Sequence, residues 1–531
     1  MASIFVPRFA RIGAFTGLGM MGIYGYGKKD DEGLQRSAYF WSKTLPIYAH
    51  YRATQWWVET IKKVPDEEQD EYYEPLHDKY ADKMLEIINY LKGFYIKIGQ
   101  IGATRSDFLP KQFMDVVSSL QDEVPCEDFE RVKKVLEKNF QRPLDEVFEW
   151  IEEKPVGSAS IGQVHKAKLK SNGMIVAVKV MYPGVEQMFR GDISTMKNFC
   201  SLAQPEHLPA LGEIEKQFLT EFDYRREAKN LEQIYQNMKV WSEKVVVPRP
   251  IWSSQDVLIM TFIDGIKLVD GLKKHFEVIA KSKGMTVDEL KQETEEKEAR
   301  GEKVEGLSRE KMERYRKLMR TQFFLKASIN FLYRWTIGPF VGSSKSLKEL
   351  ESPAESDLPL NTAAIIEDLL QVHGYQVLVN GYFNGDPHPG NILLTKDGKL
   401  GLIDYGQVKE ISKEERITLA RLILALSRDD KDEIVKTYTQ MGFRTKKMNP
   451  DVIYKHCKTI FDNDHRDSLG MNIQLYLEQL QAEDPVVSMP DEYLMAGRVC
   501  VLLRGLAYAL KYNPRVSKHW EALANEVLQE P

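Results

Sequence analysis

Residues 383–408, FNGDPHPGNILLTKDGKLGLIDYGQV, set Asp386, Asn391 and Asp404 around a glycine turn. Asp386 stands five residues before Asn391, and Asp404 ends an apolar run, KLGLID, that predicts a strand. Phosphoryl transfer asks a protein for positioning and charge neutralisation more than for covalent chemistry. An aspartate beside the acceptor hydroxyl orients it or takes its proton. An asparagine one turn on and a second aspartate hold Mg²⁺ against phosphate oxygens. Asp386, Asn391 and Asp404 supply these groups in that order, with DYG in place of D-F-G.

Two further clusters suit the same chemistry. VGSASIGQV, residues 156–164, approaches the pattern G-x-G-x-x-G-x-V, in which bare backbone amides come close to phosphate oxygens. Gly157, Gly162 and Val164 are in register, and Ala159 takes the middle glycine position. VAVKV then places Lys179 in an apolar strand, 15 residues after Val164. A lysine there costs desolvation energy unless paired. It either holds the α- and β-phosphates of a nucleotide, ATP or ADP, or lies on an edge strand and reaches water.

The elements that must position these residues follow from periodicity. Residues 34–100 have apolar and aromatic residues every three or four positions and predict helices. Residues 111–150 read as further amphipathic helices broken at Pro125 and Pro143. IGQVHKAKL, MIVAVKV and DVLIMTFI are short β-rich runs, with KSNG the clearest turn. Helical patterns return from about residue 365, except at GNILLTKDGKLGLID, which predicts a hairpin. Helices on either side of a small antiparallel sheet make an α+β arrangement. Between Thr286 and Arg320, 20 of 35 residues are charged, as in a solvated helical or disordered insertion. The aromatic-rich QFFLKASINFLYRWTIGPFV after it suits either a membrane surface or packing on another helix.

Composition sets outer limits. The 531 residues hold 73 basic and 78 acidic side chains, net −5, so bulk charge gives no sign of a nucleic-acid partner. Cys126, Cys200, Cys457 and Cys500 are scattered without metal-ligand or disulfide spacing, as in a reducing compartment. Residues 1–29 contain no acid, and 16 uncharged residues, Ile12 to Gly27, lie between the arginines at 8 and 11 and the lysines at 28 and 29. This is a candidate targeting or membrane-contact segment, short of the length of a bilayer span.

The chain resembles the UbiB family of atypical, protein-kinase-like proteins, the aarF-domain kinases, over roughly residues 85–265 and 365–525. YIKIGQIGATRSDFLP matches the family's K-x-G-Q motif at Lys97, Gly99 and Gln100; GSASIGQVHKA matches its alanine-rich loop, including Ser160. EFDYRREAKN matches its E-x-D motif at Glu221 and Asp223, and DPHPGN its catalytic-loop form.

The resemblance implies a two-lobed kinase-like fold with an N-terminal helical extension and a long charged insertion between the lobes. The expected division is 1–30 targeting or membrane contact, 31–150 extension, 151–265 N-lobe, 266–364 hinge-following region with the insertion, and 365–531 C-lobe. It further implies that Glu227 pairs with Lys179, that Lys97 pairs with Glu221 or Asp223, and that Gln100 stays near the phosphates. The backbone of LIMTFIDG, around Met260 and Ile263, would meet adenine. By the same resemblance the chain is an atypical kinase or ATPase using Mg²⁺ and acting on lipid or ubiquinone metabolism at a mitochondrial membrane, with plastid and bacterial settings as alternatives. An ATP-gated scaffold and a small-molecule kinase are the competing readings. Where the family often has a histidine just before the catalytic-loop motif, this chain has Asn384 and Gly385.

Other residues have structural readings. His388, between two prolines, would brace the loop backbone, and His165 would face solvent or pack. Arg105 and Asp107 would form an ion pair. EYLMAGRVCVLLRGLAYAL reads as a buried helix whose Arg498 and Arg504 argue against a membrane span.

Overall fold

Apart from Val245–Val246, the strands between residues 148 and 261 form a single antiparallel sheet, and the helical runs on both sides of it stay helical. The computed structural model describes residues 32–65, 69–103, 112–113, 116, 126–158, 161–203, 205, 208–300, 302, 306–321, 358–463 and 473–529. The segment 1–29, Arg105, Asp107, Ala159, Ser160 and the aromatic run 322–341 lie outside the described residues, as do the side chains of Lys97 and Gln100.

Along the chain come helices α1 (Glu32–Trp56), α2 (Asp70–Leu91), α3 (Gly93–Ala103) and α4 (Phe129–Phe140), then strands β1 (Phe148–Ile151), β2 (Gly157–Ser158), β3 (Gly162–Leu169) and β4 (Ile175–Met181). Helices α5 (Val185–Ala203), α6 (Leu208–Leu219) and α7 (Tyr224–Asn237) follow. Next are strands β5 (Val245–Val246), β6 (Pro250–Ser253), β7 (Val257–Thr261) and β8 (Gly265–Lys267), and helices α8 (Leu268–Lys283) and α9 (Val287–Ala299). The last third contains α10 (Thr362–Gly374), β9 (Tyr382–Asn384), β10 (Ile392–Thr395), β11 (Leu400–Leu402), β12 (Val408–Glu410), α11 (Lys413–Arg428), α12 (Pro450–Phe461), α13 (Asp491–Ala509) and α14 (Val516–Gln529).

These elements form two compact units. The first takes the chain up to Lys229 together with Pro250–Phe262, and the second takes Asn230–Arg249 and Ile263 onward.

In the first unit the sheet order is β1-β3-β4-β7-β6, with β2 paired to β3. Residues 148–151, expected at the end of a helical stretch, form β1 instead. The preceding helix ends at Phe140 with Gln141 in the left-handed region, Pro143 opens a single helical turn over Leu144–Val147, and Phe148 and Ile151 then pack with the sheet core. That core is Val176, Val178, Val180, Ala167, Leu169, Val257 and Ile259, closed over by Val132 and Leu136 of α4. Asp128 caps α4 by accepting the Glu130 N–H at 2.8 Å. The N-terminal helices attach to α5, where Arg36 makes a forked contact with buried Asp192 at 3.1 and 2.5 Å. Phe94 of α3 meets Phe189 of α5 edge-on at 5.3 Å.

In the second unit β10 and β11 form the expected hairpin, with Gly398 at φ +83° in its turn. Their sheet, β5-β11-β10-β8, is not wholly antiparallel, because β5 enters alongside β11 in parallel. A separate two-stranded ladder joins β9 to β12. Helix α11 begins with a capping box between Ser412 and Glu415, and the Trp520 indole N–H of α14 donates to the Leu370 carbonyl at 2.8 Å. The charged stretch is helical over α9 and again over 309–321. Among the described residues no helix is long and apolar enough to cross a membrane.

Candidate functional site

Alternation along the first sheet decides which side chains can act together. In β3, Gln163, His165, Ala167 and Leu169 turn toward α4, so Val164, Lys166 and Lys168 turn away. Val164 stands opposite Lys179, Lys179 opposite Leu258, and Ala177 opposite Met260. Val164, Ala177, Lys179 and Met260 therefore share the face that α4 leaves open, which brings three of the expected nucleotide residues together.

Lys179 lies on β4, between β3 and β7, so the edge-strand alternative falls. Its ammonium is 2.6 Å from the Glu227 carboxylate of α7, the expected pairing. The Tyr224 ring lies 5.2 Å from the same ammonium. Side-chain exposure is 15% for Lys179 and 8% for Glu227, so both charges of the pair are largely shielded from water.

The two loop glycines differ in kind. A Cβ on Gly162 would collide with the Val180 carbonyl and stand 2.6 Å from the Tyr224 hydroxyl, so a close approach of protein atoms requires glycine there. Among the described residues, a Cβ on Gly157 would meet nothing within 4 Å. Of these two glycines it is Gly157 that keeps the open backbone expected of a phosphate loop.

His165 does not face solvent. It is fully buried, with Nδ1 2.7 Å from the Glu152 carbonyl and Nε2 2.9 Å from the Gln163 amide, and burial lowers its pKa. Gln163 also accepts the Glu127 N–H at 2.8 Å, which fastens the entry to α4 to the loop strand. Asp223 accepts the Arg225 side chain at 2.7 and 2.8 Å and its backbone N–H at 3.0 Å, and the Arg225 hydrogen bonds lower its pKa. Its recorded contacts serve the start of α7. The expected Lys97 pairing lies outside the described side chains.

In the second unit the hairpin and the β9–β12 ladder set the acidic residues. The Asn391 amide donates to Asp404 Oδ2 at 3.2 Å, and Asp404 Oδ1 accepts the Gly406 N–H at 3.1 Å. A carboxamide oxygen and a carboxylate are hard oxygen donors suited to Mg²⁺, which takes one or two protein ligands plus phosphates and water. The residues present fit that ion. Among the described residues no group of three or more His, Cys, Asp or Glu side chains is placed to hold a metal by itself. His388 braces the loop as expected, its Nδ1 accepting the Gly390 N–H at 3.1 Å. Ile263 turns its side chain into this unit, where a Cβ on Gly401 of β11 would lie 3.1 Å from it. Only its backbone is left for the adenine role.

Two contributors escaped the sequence reading. Arg498 of α13 lies 3.2 Å from the Asp386 carboxylate and donates to Gln407 at 3.4 Å. Asn384 accepts the Asp386 N–H and donates to the Asp404 carbonyl, both at 2.9 Å. The apolar periodicity of α13 showed only a buried helix, and no local pattern marks Arg498. Asn384 gave one signal, its place just before the aspartate.

Residues 119–295 and 345–438, a little over half of the chain, match the family described as ABC1 atypical kinase-like domain. The chain is similar to AarF domain-containing kinase 1 of Drosophila melanogaster, with 22% identity over 92% of this chain and 81% of that one. It is also similar to the chloroplastic protein ACTIVITY OF BC1 COMPLEX KINASE 1 of Arabidopsis thaliana, 23% identical over 78% of this chain and 51% of that one. Against several curated relatives it spans between about half and two thirds of their length. A solved structure of an Rv3197–erythromycin complex from Mycobacterium tuberculosis aligns with a TM-score of 0.48 and 19% identity, covering 87% of this chain and 100% of that one.

Proposed function

Because the chain belongs to the ABC1 atypical kinase-like family, we propose that it is an atypical kinase or ATPase that binds a magnesium nucleotide. The single observation that carries this reading is the Lys179–Glu227 pair at 2.6 Å on an interior strand. A buried ion pair adds little to stability compared with apolar residues of the same volume, so its presence points to work done by the lysine.

Lys179, oriented by Glu227, would hold nucleotide phosphates, with the open backbone at Gly157 and the shared face of Val164 and Met260 beside it. Asn391 and Asp404 would hold Mg²⁺, which neutralises phosphate charge when bound. Asp386 would orient the acceptor hydroxyl or a water and accept its proton. A membrane setting, with a lipid or lipid-quinone acceptor in an organelle, is the finer part of the proposal. Its support is the acid-free, apolar stretch at residues 1–29. A second reading, an ATP-gated scaffold, draws on the Arg498–Asp386 contact, which occupies the proposed base.

The test is nucleotide hydrolysis by the full chain with Mg²⁺, with and without anionic lipid vesicles, for wild type, Asp404→Asn and Lys179→Met. Turnover raised by vesicles and lost in both variants supports the enzyme at a membrane. Tight nucleotide binding without turnover in wild type supports the scaffold. No magnesium-dependent nucleotide binding in wild type overturns both readings.

A further inference from the structure

The β9–β12 ladder holds the segments bearing Asp386 and Asp404 together as far as the Asn384–Val408 pair, and the Gly385 N–H adds one more bond to the Gln407 carbonyl at 2.8 Å. The next backbone bond between the two segments runs from the Ile403 N–H to the Asn391 carbonyl at 3.2 Å, where the hairpin begins. Between these points the Asn384 side chain links Asp386 to Asp404. Asn384 is 8% exposed, its Oδ1 accepts the Asp386 N–H at 2.9 Å, and its Nδ2 donates to the Asp404 carbonyl at 2.9 Å. An N–H can only donate and a carbonyl can only accept, so these partners fix which way the amide points.

We propose that Asn384 is the positioning residue that sets the spacing between the proposed base, Asp386, and the proposed magnesium ligand, Asp404. This rests on the magnesium-nucleotide reading above. The bridge needs one acceptor and one donor on a single short side chain. A carboxamide offers both at every pH. A carboxylate offers the donor only when protonated, and an imidazole offers the acceptor only when neutral. Leucine keeps the branched shape of the asparagine side chain and removes both bonds.

These properties give the test its direction. The half-saturating Mg²⁺ concentration for binding of a fluorescent ATP analogue is measured at pH 8. Asn384→Leu is expected to raise it about tenfold, as loss of a residue that orients a metal ligand does, with metal-free nucleotide affinity unchanged. Asn384→His, whose neutral imidazole offers one donor and one acceptor, should return it most of the way to the wild-type value. A packing role would not separate the two variants in this way.

An unchanged Mg²⁺ requirement in Asn384→Leu, or an equal defect in Asn384→His, would overturn the proposal. If wild type binds no magnesium nucleotide, the kinase reading fails and the positioning role fails with it. Hydrogen exchange then reads the bridge separately: the Asp386 amide should lose protection in Asn384→Leu, and protection retained there shows that no bridge exists.

Discussion

The Arg498 guanidinium stands 3.2 Å from the Asp386 carboxylate, so helix α13 restrains the proposed base. Met495, one turn earlier on α13, packs against Gly385, where a Cβ would collide with its methyl group. The loop that carries Asp386 is thus seated on α13 by one apolar and one ionic contact.

Exposure of 41% for Arg498 and 26% for Asp386 makes their pair worth little to stability. Arg498→Ala should leave the melting temperature nearly unchanged and nucleotide affinity intact. It should lower kcat by about tenfold as the base loses its orientation, with part of that restored in Arg498→Lys. Equal loss of kcat and nucleotide affinity would refute this division.

The Lys179–Glu227 pair behaves oppositely. Removing one partner leaves a charge shielded from water, so Lys179→Met or Glu227→Leu should each cost about 3 kcal/mol of stability. The double variant should recover most of that while still failing to bind nucleotide. Chemical denaturation of the three variants checks the stability cycle, and a binding titration checks the function.

Gly157 and Gly162 separate loop chemistry from packing. Gly162→Ala drives a methyl group into the Val180 carbonyl and the Tyr224 hydroxyl, and should destabilise by about 2 kcal/mol. Gly157→Ala meets no atom within 4 Å, so stability should hold while nucleotide affinity falls. An equal melting shift in both variants would contradict the difference in their surroundings.

Three histidines of the second unit should set its acid limit. Burial lowers the pKa of His275, His373 and His456 from 6.5 to about 4. His275 Nδ1 accepts the Leu360 N–H at 2.9 Å, which requires an unprotonated nitrogen. Each folded-state pKa is depressed, so the unfolded chain takes up protons first as pH falls below 6.5. Stability contributed by the neutral rings is full above pH 6.5 and is lost toward pH 4, by up to about 1.4 kcal/mol per pH unit for each ring. Melting temperatures at pH 7.5, 6 and 5 should show the loss, and His456→Gln should flatten the slope.

The sequence by itself determined what short-range pattern encodes. Alternation placed β3, β4 and β7, the glycine-bearing turn placed the β10–β11 hairpin, and spacing alone singled out Lys179, Asp386, Asn391 and Asp404. Strand period and turn chemistry act over a few residues, so they survive without tertiary information. Tertiary structure decided whether the Lys179 strand was an interior or an edge strand, because neighbouring strands come from distant parts of the chain. It also turned Phe148–Ile151 into a strand, buried His165 under α4, and brought Arg498 to Asp386. Each of these depends on which surfaces meet after folding, and that is settled by the packing of whole elements, where sequence separation leaves no local trace.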